Sequence, residues 1–301
     1  MRISEAIDKF IEWRSYRSEK NTLKGYSYDL RKFCLFVKDA EIENIILDDI
    51  LDYFAMLKKL GWTEKAFVGE ASALRSFFDF YMRQGYRVID PQLIPMPKVM
   101  PSIPRSATEE QYQKIISVIP KDGKDPRHVR NLSIINLLWD TGVRVGELRS
   151  LNIEDLDFSR MKAIIKTEKS RGTRPFREIF WTKETNKNIL QWLERKKQLA
   201  RRMKHIDPHA LFVNIASNSG CRLSARAITD ALRSYSYKAG IKPALNPHSF
   251  RHHMGHEIIQ KGGTNADVMN ILGHAKIEST MVYTMMTDRE LEARYRKFKG
   301  R

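Results

Sequence analysis

Thr141-Gly142-Val143-Arg144-Val145-Gly146-Glu147-Leu148 follows directly on an apolar run, Leu132 to Trp139. It reads as a buried helix that ends at Thr141-Gly142, a glycine that turns the chain, and an arginine that emerges at the start of the next helix. A guanidinium placed there can clamp an anion with two parallel N–H groups, helped by the helix N-terminus, and Glu147 is placed to orient it. A structural ion pair between Arg144 and Glu147 accounts for the same residues, so this stretch carries chemistry only in company.

Moving outward, Ala163 to Thr167 and Phe176 to Trp181 read as strands around a basic turn that includes Lys166, Glu168, Lys169, Ser170, Arg171 and Arg174. A lysine on such a turn can reach a ligand and donate a proton; alone, it is a solvated turn. Further on stands Pro247-His248-Ser249-Phe250-Arg251-His252-His253. Proline restricts the entry, a helix is read from Ser249, which is expected to cap it, and His248 and Arg251 fall three apart on one face. An imidazole and a guanidinium converging on one point suit a phosphate whose charge grows during reaction. Thr264 caps another helix with Asp267 in capping-box spacing, and that helix ends at Gly273. His274 then lies at its C-terminus, and Tyr283 follows nine residues later; a lone tyrosine is ordinarily a core residue. Further helices are expected from the capping box Thr108–Gln111 through Ile119, from Thr185 to His205 and from Ser224 to Ala239.

The first part of the chain is helical throughout. Ile3, Ala6, Ile7 and Phe10 recur at helical spacing. Asn21 or Thr22 can cap a second helix with Tyr26, Leu30, Phe33 and Val37 on one face. A third apolar run covers Ile46 to Leu60 and stops at Gly61. A fourth places Phe67, Ala71, Leu74, Phe78 and Tyr81 at steps of three and four and ends near Gly85. Pro91, Pro95, Pro97, Pro101 and Pro104 then crowd fourteen residues, which favours an extended strap over a helix. The expected organisation is a helical bundle over 1–90, a proline-rich linker over 91–105 and a second domain over 106–301. The fold class is mainly α with a small β-sheet: a bundle followed by a mixed α/β domain.

Charge divides along the same line. The 301 residues carry a formal net charge of +17. Residues 1–100 hold 16 Lys/Arg against 15 Asp/Glu, and residues 101–301 hold 37 against 21. A basic face for an anionic partner, nucleic acid before an acidic membrane, belongs to the second part. The two cysteines, Cys34 and Cys221, form neither a disulfide framework nor a Cys-based zinc site. The N-terminal MRISEAIDKF lacks an apolar signal core, and no stretch approaches ~18 uninterrupted apolar residues. The expected location is the cytoplasm, at the nucleoid.

Taken in order, Arg144, Lys169, His248-x-x-Arg251, His274 and Tyr283, in the motifs TGVR-x-x-E, HSFRH and LGH-x8-Y, resemble the tyrosine recombinases, the phage-integrase and Xer family. Asn21-Thr22, Tyr26, Asp29-Leu30 and Phe33 look like that family's SAM-like core-binding domain. The resemblance covers roughly residues 3 to 290. It implies a nucleophile at Tyr283, two phosphate-holding arginines at Arg144 and Arg251, and His248 as proton acceptor or phosphate contact. Lys169 becomes the proton donor to the leaving 5′ oxygen, His274 a further phosphate contact and Glu147 a support. The lysine turn departs from the family's usual Gly-Lys-Gly, which leaves Lys166 and Arg171 as rivals of Lys169. The resemblance also implies double-stranded DNA as partner, no cofactor or metal, and four protomers on two DNA sites, with the basic tail from Asp288, bearing Leu291 and Tyr295, docked on a neighbour. The length leaves no room for an arm-binding domain ahead of Ile3, which points to Xer-like resolution of chromosome dimers or integration and excision of a small mobile element. Candidates for DNA contact are Lys20, Lys24, Arg171, Arg174, and Arg222, Arg226 and Arg233 on one helix.

Three other readings compete. His248, His252 and His256 at steps of four could bind a metal for a nuclease, although no Glu stands in an HExxH arrangement and Arg251 would sit beside the cation. A catalytically inactive DNA-binding regulator is a second. A type IB topoisomerase, which uses similar chemistry, is a third.

Overall fold

The computed structural model describes residues 1–98, 105–168, 175–216, 219–273 and 295–296. The chain forms two compact units, Met1–Ser102 and Ile103–Arg301.

The first unit holds helices α1 (Ile3–Ser15), α2 (Lys20–Phe36), α3 (Leu47–Lys59) and α4 (Glu64–Arg83). Each turns its apolar face inward, so Ile3, Ala6, Ile7 and Phe10 meet Leu30, Phe33, Ala71, Leu74, Phe78 and Tyr81 in one core. Phe10 stacks edge-on against Tyr26 and Phe77. The buried Tyr81 hydroxyl donates to the Ala6 carbonyl at 2.8 Å, which satisfies it without water. One boundary differs from expectation. Helix α2 begins at Lys20 with Glu19 in the capping position, so Asn21 and Thr22 lie inside its first turn. The proline-rich segment starts as part of this unit. Asp90 caps a short 3-10 turn, Pro91–Leu93, and Ile94 is buried in the core, its carbonyl held by Arg75 Nε at 2.9 Å.

The second unit is built around α6 (Pro126–Thr141), which packs against α8 (Lys183–Ala200) and α10 (Pro247–Gln260). Helix α5 (Glu109–Ser117) starts at the reciprocal Thr108–Gln111 capping box, and α9 (Ala225–Lys238) starts at Ser224. Strands β1 (Leu156–Asp157), β2 (Lys162–Lys166) and β3 (Phe176–Phe180) form an antiparallel meander. Two-residue β1 is too short to leave a periodic signal. Helix α7 (Val145–Ser150) precedes the sheet, and α11 (Asn265–Leu272) starts at the Thr264–Asp267 capping box.

Several helix ends differ from expectation, and α5 stops at Ser117, short of Ile119. Helix α8 stops at Ala200, short of His205. Helix α10 begins at Pro247 rather than Ser249, because Asn246 is the capping residue: its Oδ1 accepts from the Ser249 N–H at 3.1 Å. Asparagine followed by proline is a start signal in which the missing N–H of proline is one the helix could not have used. His253 also finds an account here. It stacks on Trp139 at 3.8 Å, Tyr112 stacks on the same indole at 4.2 Å, and the three rings tie α5, α6 and α10 together.

Candidate active site

Gly142 closes α6 in the left-handed conformation, with φ 57°, as the sequence requires. A side chain there would press on Leu272 and Met254 at about 3 Å, so α11 and α10 pack directly over this turn. Two residues on, Arg144 takes the capping position of α7 and Glu147 its third residue. Gly146 leaves space for the Glu168 carboxylate, which lies where a Cβ would stand.

Glu147 is buried, at 1% exposure, and is the hub of the site. Its Oε2 accepts from the Arg144 backbone N–H at 2.9 Å and from Arg177 Nη2 at 2.7 Å. Its Oε1 accepts from Arg144 Nη1 at 2.9 Å, Arg177 Nη1 at 2.9 Å and the Glu168 backbone N–H at 3.1 Å. A carboxylate offers roughly four lone-pair directions, so these donors fill it. Burial alone would raise its pKa. The hydrogen bonds and charges of Arg177 and Arg144 outweigh that and hold it down to about 2. Glu147 is therefore an anchored anion and not a proton carrier at neutral pH.

The two arginines on this hub, Arg144 and Arg177, meet a third, Arg251 of α10, at the end of α11. Helix α11 ends with carbonyls that have no partner inside the helix. Arg177 Nε donates to the Ile271 carbonyl at 3.2 Å, Arg251 Nη2 to Leu272 at 2.7 Å and Arg144 Nη2 to Gly273 at 3.3 Å. Arg251, 4% exposed in α10, also donates from Nη1 to the Gly142 carbonyl at 3.0 Å. Guanidinium groups from α7, β3 and α10 thus converge on three successive carbonyls at the point where the chain passes to His274. Gly273 has φ 69°, and a Cβ there would come within 3.0 Å of Arg177.

The other sequence candidates divide. His248 is exposed in the first turn of α10, one turn before Arg251 on the same side. Lys169, Arg171, Arg174, His274 and Tyr283 lie outside the described residues. Lys166 is exposed on β2, on the sheet face opposite the buried Ala163 and Ile165. Arg222 is not on a helix: it precedes α9 and donates to the carbonyls of Arg149 and Leu151 at 3.0 and 2.9 Å and to Asn152 Oδ1 at 2.5 Å. That ties the segment before α9 to the end of α7 and the turn after it. Arg226 and Arg233 do lie on α9, exposed and loosely paired with Asp230 at 3.5 and 3.9 Å. Lys20 and Lys24 fall in the first turns of α2, with Lys24 exposed.

His248, His252 and His256 all lie on α10, yet among the described residues no three His, Cys, Asp or Glu side chains are grouped to hold a metal ion. Burial first, then the charges of His248, His256 and Arg251, push His252 down to about 4. Its imidazole is therefore neutral at pH 7, chiefly because it is buried. No helix among the described residues is long and apolar enough to cross a membrane.

Sequence reasoning missed Arg177. Alternation in the sequence of β3 would turn Phe176 and Phe180 inward, yet both are exposed and Arg177 and Ile179 are buried. A charged residue on the inward face of a strand demands a buried partner.

Comparison with known proteins agrees with this geometry. Residues 105–290 match the model of the phage integrase family, and residues 7–85 match that of the phage integrase N-terminal SAM-like domain. The tyrosine recombinase XerA of Pyrococcus furiosus is 30% identical over 292 residues, covering 96% of this chain and 92% of that protein. The tyrosine recombinase XerD of Listeria innocua is 27% identical over 99% of this chain and 100% of its own length. The Tn1549 transposon integrase, solved with transposon right-end DNA, shares the fold with a TM-score of 0.72 and 19% identity, over 99% of this chain and 100% of that one. With a family match across more than half its length and a recombinase relative along nearly all of it, the chain belongs to the phage integrase family, the tyrosine recombinases.

Proposed function

We propose that this protein cleaves and rejoins double-stranded DNA at a specific site through a 3′-phosphotyrosyl bond to Tyr283. The observation that carries the reading is the convergence of Arg144 and Arg251, far apart in the chain, on the adjacent carbonyls of Leu272 and Gly273. Two guanidinium groups held that close can take the two non-bridging oxygens of one phosphate.

In the proposed reaction the Tyr283 phenol attacks phosphorus, the P–O5′ bond breaks, and a tyrosyl phosphodiester forms. A free phenol has a pKa of about 10, so its proton must leave during attack, and His248 accepts it. Lys169 protonates the departing 5′ oxygen. Arg144 and Arg251 stabilise the added negative charge, with His274 as a further donor. The 5′ hydroxyl of a second strand then attacks the phosphotyrosine, reverses each proton transfer and frees the tyrosine. Two guanidinium groups take the part a metal ion would play, and the phosphotyrosine conserves the bond energy, so the proposed reaction requires neither a metal ion nor ATP. Four protomers would act on two sites, each docking its tail from Asp288 onward on a neighbour. The biological task is Xer-like resolution of chromosome dimers or movement of a small mobile element.

The test is recovery of DNA covalently joined to the protein from cells, with every buffer containing EDTA. The expected result is protease-sensitive adducts that share one short DNA sequence, and none with Tyr283→Phe. Loss of adducts in EDTA, or undiminished adducts with Tyr283→Phe, contradicts the proposal.

A further inference from the structure

The structure assigns Arg177 a role as a positioning residue for strand cleavage; the assignment rests on the phosphotyrosyl reaction proposed above. Its side chain is 5% exposed and both ends of its guanidinium are committed. Nη1 and Nη2 meet the two oxygens of Glu147 at 2.9 and 2.7 Å. The same two oxygens orient Arg144, through its Nη1 and its backbone N–H. Nε holds the Ile271 carbonyl at 3.2 Å, and the Arg177 side chain fills the space that a Cβ on Gly273 would need. One side chain thus fixes the orientation of a phosphate-holding arginine and the end of the helix that leads to His274 and Tyr283.

Stability alone does not require this arrangement. Apolar side chains of similar volume commonly replace both members of a buried ion pair at little net cost, although removing one member alone destabilises. What an apolar replacement cannot supply is direction. With only Arg144 and two backbone N–H groups left, Glu147 is free to rotate, and Arg144 turns with it. Misplacement of a catalytic group by about 1 Å costs on the order of 100-fold in rate.

The experiment compares wild type, Arg177→Met, Arg177→Lys, Glu147→Gln and the Arg177→Met/Glu147→Gln double variant on a nicked suicide duplex carrying the recovered site. Adduct formation is followed in a single turnover at saturating protein, well below the melting temperature of every variant, and DNA affinity is measured separately. Arg177→Met is expected to slow adduct formation roughly 100-fold with Kd changed by less than about threefold, and Arg177→Lys to recover about tenfold of that loss. The double variant is expected to be no slower than the slower single variant, because both residues act through one contact. A merely structural role predicts rates near wild type at this temperature, or losses that multiply in the double variant; either result overturns the assignment. If wild type itself forms no adduct, the proposed reaction fails and the assignment falls with it, an outcome distinct from a defect confined to the Arg177 variants.

Discussion

Arg251→Ala is expected to slow covalent adduct formation by roughly 10³-fold and to lower stability by a few kcal/mol at the same time. In the proposed reaction, the first effect follows from removing one of the two guanidinium groups that would meet the phosphate as its charge increases. The second follows from the DNA-free structure, where Arg251 satisfies the carbonyls of Gly142 and Leu272. Each buried acceptor left without a donor costs about 1–3 kcal/mol. Arg251→Lys separates the two effects. An ammonium can satisfy one carbonyl and recover part of the stability, but it lacks the planar fork, so cleavage is expected to stay roughly 100-fold down. Thermal melting and single-turnover adduct formation on the same preparations check both. A lysine variant that cleaves at the wild-type rate contradicts the fork argument.

Glu147→Ala is expected to be the most destabilising change in the site, at about 3–5 kcal/mol, because it leaves the Arg177 guanidinium buried without its carboxylate. Melting of the second unit would fall by on the order of 10 °C. Glu147→Gln keeps the shape and removes the charge, and it exposes a pH signature. The folded-state pKa of Glu147 is held down to about 2, against 4.5 for the ordinary group. The unfolded chain therefore takes up the proton first as pH falls. The carboxylate contributes its full stability above pH 4.5 and loses it progressively towards pH 2, a total of ~3 kcal/mol. About 2 kcal/mol of that is lost by pH 3. Denaturant unfolding from pH 6 to pH 3 is expected to show a shallower decline for Glu147→Gln than for wild type. Other depressed carboxylates such as Asp125 and Asp207 titrate in both proteins, so the difference between the curves isolates Glu147. Parallel curves contradict the hub.

These effects explain which parts of the molecule were legible in the sequence. Signals that act within one turn of helix were readable: Thr108 with Gln111, Thr264 with Asp267, and the glycines at 142 and 273 all end or begin helices as their chemistry demands. The apolar spacing of α1 to α4 likewise gave the first core. Arg144 and Arg251 were visible because their motifs are local, although their meeting at the end of α11 was not. Arg177 was hidden for a physical reason. It pairs with Glu147 thirty residues earlier, and no periodic pattern encodes a contact between a strand and a helix start. Arg222 was read onto the helix because a basic residue near a helical run looks the same whether it lies in the helix or just before it. His253 had no reading until Trp139 was seen to stack on it.

The proposed reaction turns on one atom, the phenolic oxygen of Tyr283. Adducts trapped on a suicide duplex can be digested with nuclease and protease, and the residual nucleotide mapped by tandem mass spectrometry. The account predicts a nucleotide 3′-phosphate esterified to the phenolic oxygen of Tyr283. A nucleotide on any other residue, or one joined through its 5′-phosphate, contradicts it.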